Sequence, residues 1–375
     1  MDINNLAEEC MKAVNEKAKD LKTLNIVVVG KTGVGKSTLI NAVFRENLAE
    51  TGVGKPVTQR MRKYSKSDMP LNIYDTKGFE LGNDAQQEIK EELLKTIKDG
   101  VASGDISKAI HCIWYCVNVS SSRFEPEEVQ WIKDFTEQNQ TYNIPIIIVL
   151  TQAFSKKHSQ EMKKMIENEN LDVIQIVPVL AQDYEIDEEQ YVRAHGLDKL
   201  IEVMEQSLPD EMLDTLMNVQ KANLKLKKKK AQAAVAAAAT SAMAAGAVPI
   251  PFSDASLLIP IEVTMMASIT VTFGFELNKS ILTGLVSTIV GTSGATLAGK
   301  AIVTNILKMI PVVGTVAGGA ISGSTAALLT TALGEAYIAI MVAMFNGEIK
   351  EKDLETKEGQ ARLEQLFKEN LSKSK

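Results

Sequence analysis

The chain has 375 residues, a net charge of −6, 45% hydrophobic and 23% charged side chains. Its length exceeds one small domain and implies two or three, and its acidic balance excludes a general nucleic-acid binder, so no nucleic acid is expected as a partner. Three cysteines, Cys10, Cys112 and Cys116, show no metal-ligand spacing with histidine. Together with an N-terminus that lacks an apolar h-region, they predict a reducing, cytoplasmic setting.

Residues 1–22 read as a helix with Leu6, Cys10, Val14, Ala18 and Leu21 along one stripe. Over 23–210, short apolar runs (24–29, 71–74, 110–117, 144–150 and 173–179) alternate with amphipathic stretches (84–98, 125–138, 155–168 and 197–207). This alternation predicts an α/β domain: a mostly parallel sheet, helices on both faces, and ligands at the carboxyl ends of the strands.

The first apolar run leads into Gly30-Lys31-Thr32-Gly33-Val34-Gly35-Lys36-Ser37-Thr38, and a helix-like segment follows. G-x-x-x-x-G-K-S between a strand and a helix is a P-loop context. The glycines let backbone N–H groups curl around phosphate oxygens, and the helix opening at Lys36 adds the positive end of its dipole. Lys36 is expected at the β/γ-phosphates and the Ser37 hydroxyl on Mg²⁺. Two further elements fit a triphosphate switch. Thr58, in Pro56-Val57-Thr58-Gln59, is placed to close over Mg²⁺ and the γ-phosphate, with Thr51 the weaker alternative. Asp75-Thr76-Lys77-Gly78 supplies D-x-x-G after a strand. Asp75 is expected to hold Mg²⁺ through water, and the Gly78 N–H to sense the γ-phosphate.

Residues 24–207 resemble the translation-factor class of P-loop GTPases, and G-K-T-G-V-G-K-S-T-L-I-N, P-V-T-Q and D-T-K-G-F-E are similar to its Era-like and septin/interferon-inducible-like branches. The resemblance implies GTP and GDP as ligands, Mg²⁺ as cofactor and GTP hydrolysis as activity. Two departures stand out. Where the class carries N-K-x-D or T-K-x-D to read guanine, this chain has Thr151-Gln152-Ala153-Phe154, with Phe154 in the aspartate's place. Gln152 can stack its stem on the base and Ala181 can offer its N–H to O6. GTP is therefore expected, with ATP or relaxed specificity as the alternative. The residue after D-x-x-G is Phe79 instead of a water-orienting glutamine, and Gly33 stands where potassium-dependent members carry asparagine. Slow intrinsic turnover, raised by self-association or a partner, follows from this. Arg123 is the candidate trans-acting group, a solvated loop arginine being the other reading. Lys31 sits where MinD-type ATPases carry their signature lysine, but their paired glycines are absent.

The composition then changes. A basic linker helix is expected over 211–230, with six lysines in 221–230, whereas only seven of the 117 residues in 231–347 are charged. The apolar stretches 231–253, 255–275, 280–299 and 309–334 are long enough to span a bilayer but rich in Gly, Ala, Ser and Thr. Small residues recur in Gly291-Ala295-Gly299, Gly314-Gly318-Ser322 and Gly319-Gly323-Ala327, a spacing that serves close helix packing in lipid or in a soluble bundle. The lysines suit either an anionic headgroup surface or a solvated linker. Residues 231–347 resemble the helical domain of YcjF-like bacterial proteins through Ala247-Val248-Pro249-Ile250-Pro251-Phe252-Ser253-Asp254, Lys308-Met309-Ile310-Pro311-Val312-Val313-Gly314 and Ala332-Leu333-Gly334. That resemblance implies membrane association. Residues 348–375 read as a charged C-terminal helix. The expectation is a nucleotide switch coupled to a helical domain at the cytoplasmic face of a membrane. The alternative is a self-assembling remodelling GTPase that forms a homodimer through its nucleotide domains.

Overall fold

In the computed structural model, the described residues are 3–45, 48, 55–56, 60–76, 83–121, 124–187, 190–246, 250–251, 258–275, 283–284, 320–350 and 356–373. The chain divides into two compact units: Leu21–Asn223, and Met1–Asp20 together with Leu224–Lys375.

The first unit is built on a seven-stranded sheet. Its strands are β1 (Leu24–Val29), β2 (Lys55–Pro56), β3 (Met61–Lys66), β4 (Met69–Thr76), β5 (Cys112–Asn118), β6 (Ile146–Thr151) and β7 (Gln175–Pro178), in the order β2-β3-β4-β1-β5-β6-β7. β4, β1, β5, β6 and β7 run parallel, whereas β2 and β3 add an antiparallel edge. β1 is central and every residue in it is buried, as its β-branched, apolar sequence demands of a strand covered on both faces. The connections diverge from β1 to opposite sides of the sheet. Its carboxyl end, where the P-loop begins, is therefore the switch point at which such sheets bind ligands.

Side-chain alternation sorts the two faces. Tyr115 packs with Trp131 (ring centroids 5.7 Å), which stacks on Phe135. They belong to a core that holds Val27, Ile113, Ile148, Leu93 and Met162, under α3 (Asn83–Ala102), α4 (Pro126–Asn139) and α5 (Lys156–Glu167). Trp114, the preceding residue, stacks instead on Phe44 at 5.8 Å, just past α2 (Lys36–Val43). α6 (Leu197–Ser207) contacts β7, and α7 (Asp210–Val219) contacts β1 and β4. A small hairpin, β8 (Tyr184–Glu185) with β9 (Tyr191–Val192), follows β7.

The second unit is helical: α1 (Ile3–Asp20), α8 (Leu224–Ala245), α9 (Leu258–Phe273), α10 (Gly323–Phe345) and α11 (Lys357–Lys373), with a two-residue pairing of β10 (Ile250–Pro251) and β11 (Ala320–Ile321). α1 contributes Ala7 and Cys10 to the core of this unit. The stretch expected as one basic linker is divided between the end of α7 and the start of α8. Within that stretch Lys227 is fully buried. Its ammonium donates to the carbonyls of Thr272 (2.8 Å) and Phe273 (3.1 Å), capping the C-terminus of α9, and it lies 6.0 Å and 5.9 Å from the ring centroids of Phe273 and Phe345. Orphan carbonyls and aromatic faces together give the buried cation its counter-charge. Lys225, Lys228, Lys229 and Lys230 are exposed.

Among the described residues one helix, α10, is long and apolar enough to cross a membrane, and 67% of its most apolar window is buried inside the protein. Small residues set its packing: a Cβ on Gly334 would fall 2.5 Å from Val235 Cγ2 and 2.9 Å from Met265 Sδ. Hydroxyls in α9 bond back to the preceding turn, Thr270 to the Met266 carbonyl and Thr272 to that of Ser268. The Thr270 hydroxyl also meets the buried Tyr337 hydroxyl at 2.8 Å, so these threonines of α9 enter an apolar core with their hydroxyls paired. Gly291, Ala295, Gly299, Gly314, Gly318 and Gly319, and most of 280–299, lie outside the described residues.

Candidate functional site: the P-loop and its cavity

The loop between β1 and α2 is shaped by glycine. Gly30 has φ +149°, and a Cβ there would fall 2.6 Å from the Cys116 carbonyl oxygen, so the loop lies directly on β5. The Cys116 thiol beneath it is pushed up to about 12 by burial, which leaves it a packing group and not a nucleophile. Gly35 is the N-cap of α2, leaving that helix's first N–H groups directed into the loop. The Lys36 ammonium folds over the loop and donates to the carbonyls of Gly30 (2.7 Å) and Lys31 (3.0 Å). It also lies 3.9 Å from Asp75 Oδ1. Val28 is in register with Asp75 across the parallel β1–β4 pair. Backbone pairing thus carries the acidic residue to the P-loop across 38 positions of sequence, between Ser37 and Asp75.

Lys31 is held elsewhere. Its ammonium contacts Glu128 Oε2 at 3.0 Å. Glu128 is the N3 residue of a capping box that opens α4, and it also accepts from the Tyr115 hydroxyl at 3.4 Å. The Thr76 hydroxyl donates to the Val28 carbonyl at 3.4 Å. Thr58, Lys77, Gly78, Phe79 and Arg123 lie outside the described residues, as does the weaker alternative Thr51. For Mg²⁺, Ser37 and Asp75 supply a hydroxyl and a carboxylate, hard oxygen donors that suit the ion. Among the described residues no three His, Cys, Asp or Glu cluster as a metal site. An ion here would therefore draw its remaining ligands from phosphate and water.

Beside the P-loop is a cavity of about 220 Å³ lined in part by Thr38, Gln152, Phe154, Ala181, Asp183 and Tyr184. Gln152 adopts a left-handed backbone, φ +54°, a conformation that costs a non-glycine residue about 1–3 kcal/mol. Its amide reaches the Gly33 carbonyl at 3.3 Å, so its side chain lies along the loop. Thr151, expected at the base, is also directed to the backbone: its hydroxyl is shared between the carbonyls of Val34 and Val117 (3.1 Å), joining β6, β5 and the P-loop. Phe154 packs against Tyr184 with ring centroids 4.2 Å apart. The segment after β7 is tied down by paired Leu180–His195 backbone bonds, both 3.0 Å, and by His195 Nε2 on the Ala153 carbonyl at 3.1 Å.

The structure thus brings Lys36, with Ser37 next in sequence, to Asp75 at the P-loop, and it places Gln152 and Ala181 in the wall of the neighbouring cavity. Sequence reasoning passed over Asp183 and Tyr184, which line the cavity, and His195, which braces it. An acid two residues beyond the expected Ala181 turn was the one available signal.

Residues 25–152 match the family described as 50S ribosome-binding GTPase, and residues 213–374 match a domain of unknown function, DUF697. Human Septin-12 is 22% identical over 191 residues, 44% of this chain and 51% of its own. The probable GTP-binding protein EngB of Kosmotoga olearia is 28% identical over 142 residues, 38% of this chain and 69% of its own. Translocase of chloroplast 108 of Physcomitrium patens is 36% identical over 107 residues, 28% of this chain and 11% of its own. The chain spans about half the length of the septin. With its P-loop at the carboxyl end of β1 and Asp75 beside it, the chain carries a P-loop GTPase fold over the residues that are similar to the 50S ribosome-binding GTPases, followed by a helical region that is similar to DUF697.

Proposed function

We propose that this protein is a Mg²⁺-dependent GTP switch with slow intrinsic hydrolysis, and that its nucleotide state is relayed to the helical unit at the cytoplasmic face of a membrane. The observation that carries the reading is the approach of Lys36 Nζ to Asp75 Oδ1, 3.9 Å, at the carboxyl ends of β1 and β4. In this reading backbone N–H groups of 30–38 cradle the phosphates, and Lys36 leaves the Gly30 and Lys31 carbonyls for the β/γ-phosphates. Ser37, Asp75 and Thr58 hold Mg²⁺, which when bound neutralises phosphate charge. Thr58 and Gly78, with Thr76 and Lys77 beside it, respond to the γ-phosphate, and Arg123 acts on a second copy. Phe79, in place of a glutamine, underlies the slow turnover. Titration of the full chain with Mg²⁺ and GTP tests this. Lys36→Ala is expected to lose at least about a hundredfold in affinity, since charge-assisted contacts to phosphate are among the strongest available. Unchanged affinity sinks the reading.

A second reading, assembly through the nucleotide domains, is favoured by the exposed Tyr184 (46%), Ile186 (57%) and Tyr191 (54%) next to the cavity. Turnover per molecule that rises with protein concentration favours assembly, and constant turnover favours the simple switch.

A further inference from the structure

We infer that Asp183 reads the guanine edge in this pocket, in place of the aspartate that is missing from the 151–154 segment. The inference deepens the proposed function and rests on it. The wall where a guanine-reading carboxylate is expected is closed by the Phe154 ring, seated on Tyr184 at 4.2 Å, and it offers no acceptor. Among the described residues that line the cavity, Asp183 is the one carboxylate. It stands two positions beyond Ala181, on the same turn that would present an N–H to O6.

The turn is built rigidly. Asp183 Oδ1 accepts the Ala194 N–H at 2.7 Å. Leu180 and His195 exchange backbone bonds one step along, and His195 ties the turn to Ala153. Among the described residues the Ala194 bond is the only hydrogen bond of this carboxylate, so acceptor capacity remains. Of the two side-chain amides that line the cavity, that of Gln152 is already engaged with the Gly33 carbonyl, and Gln182 is exposed.

The chemistry selects the base. An ionised carboxylate only accepts hydrogen bonds, and guanine presents two donors on one edge, N1–H and the 2-amino group. Adenine presents an unprotonated N1 there, whose lone pair a carboxylate repels. Aromatic walls bind either purine, so on this account Asp183 supplies the discrimination and Phe154 and Tyr184 supply uniform affinity.

The test measures the affinity of the full chain, with Mg²⁺, for GTP, ITP, XTP and ATP, in the wild type and in Asp183→Asn. The wild type is expected to prefer GTP to ITP, which lacks the 2-amino group, and to ATP. Asp183→Asn should lose about ten- to a hundredfold for GTP and gain affinity for XTP, because the asparagine amide donates to the xanthine 2-carbonyl. A gain of XTP binding requires a folded protein, so misfolding cannot imitate it. Equal wild-type affinity for ATP and GTP overturns the inference. So does an Asp183→Asn protein that keeps its GTP affinity, or one that weakens for all four without gaining XTP. If all four bind alike and Lys36→Ala abolishes binding, the P-loop reading stands and Asp183 falls. If none binds, both fail.

Discussion

Asn25 and His111 close the end of the sheet opposite the P-loop with a buried polar network. The Asn25 amide donates to the carbonyls of Ser107 (2.9 Å) and Ala109 (2.7 Å), its oxygen accepts from Asn72 (2.7 Å), and its backbone N–H donates to His111 Nδ1 (3.0 Å). An imidazole that accepts at Nδ1 is neutral. Burial pushes His111 down to about 4, and the Asn25 N–H on Nδ1 holds the ring neutral. The folded value lies below the unfolded one, so the stabilisation is complete above the unfolded value near 6.5 and is lost as pH falls towards 4. The loss is expected to reach about 3 kcal/mol by the linkage relation. Urea midpoints at pH 7.5 and pH 4 should differ more for the wild type than for His111→Asn, which keeps an acceptor for Asn25 but cannot titrate; equal shifts refute the assignment. Lys227 carries a second residue-scale expectation. Lys227→Met fits the space but strands the Thr272 and Phe273 carbonyls, and should destabilise the helical unit by about 2 kcal/mol, read as a lower urea midpoint of the chain. An unchanged midpoint would mean that the two carbonyls find water.

At the scale of elements, β1 and β7 fall inside the apolar runs of the sequence, and β5 and β6 overrun theirs by one polar residue each, Asn118 and Thr151, because buried parallel strands must be apolar on both faces. β3 escaped notice for the converse reason. Met61–Lys66 reads M-R-K-Y-S-K, a charged strand near the sheet edge whose pairing with β4 depends on backbone bonds. The P-loop was legible because one local motif encodes strand, turn and helix together. The cavity beside the P-loop was not, since its walls come from three segments, 35–39, 151–154 and 179–184, the last two joined by His195, a residue with no motif of its own. The helical unit hid its packing logic in residues without side chains to read. Gly334 touches Val235 and Met265 only because it lacks a Cβ. Gly334→Val should overpack the contact between α8, α9 and α10 and cost about 1–3 kcal/mol, seen as a reduced urea midpoint with GTP affinity retained. Gly334→Val with wild-type stability would show that these helices separate without penalty.

For the whole molecule, the membrane reading turns on which surface would meet the lipid. α10 has the length and apolarity of a span, but 67% of its most apolar window is already covered by protein, so insertion would require the helical unit to open. Lys225, Lys228, Lys229 and Lys230 are exposed as the unit stands, while Lys227 is committed to the carbonyls of α9. Four exposed lysines near an anionic surface contribute about 1 kcal/mol each, and the attraction is screened within roughly 10 Å at 0.1 M salt. The full chain should therefore co-sediment with phosphatidylserine-containing liposomes at low salt and be released at high salt. Replacing the four exposed lysines with glutamine should remove that binding and leave the fold intact. Binding that survives both high salt and the quadruple substitution would mean that the apolar helices have opened into the bilayer. A full chain that ignores anionic liposomes at low salt, with GTP or with GDP, would remove the membrane from the proposed function and leave a protein surface as the target of the switch.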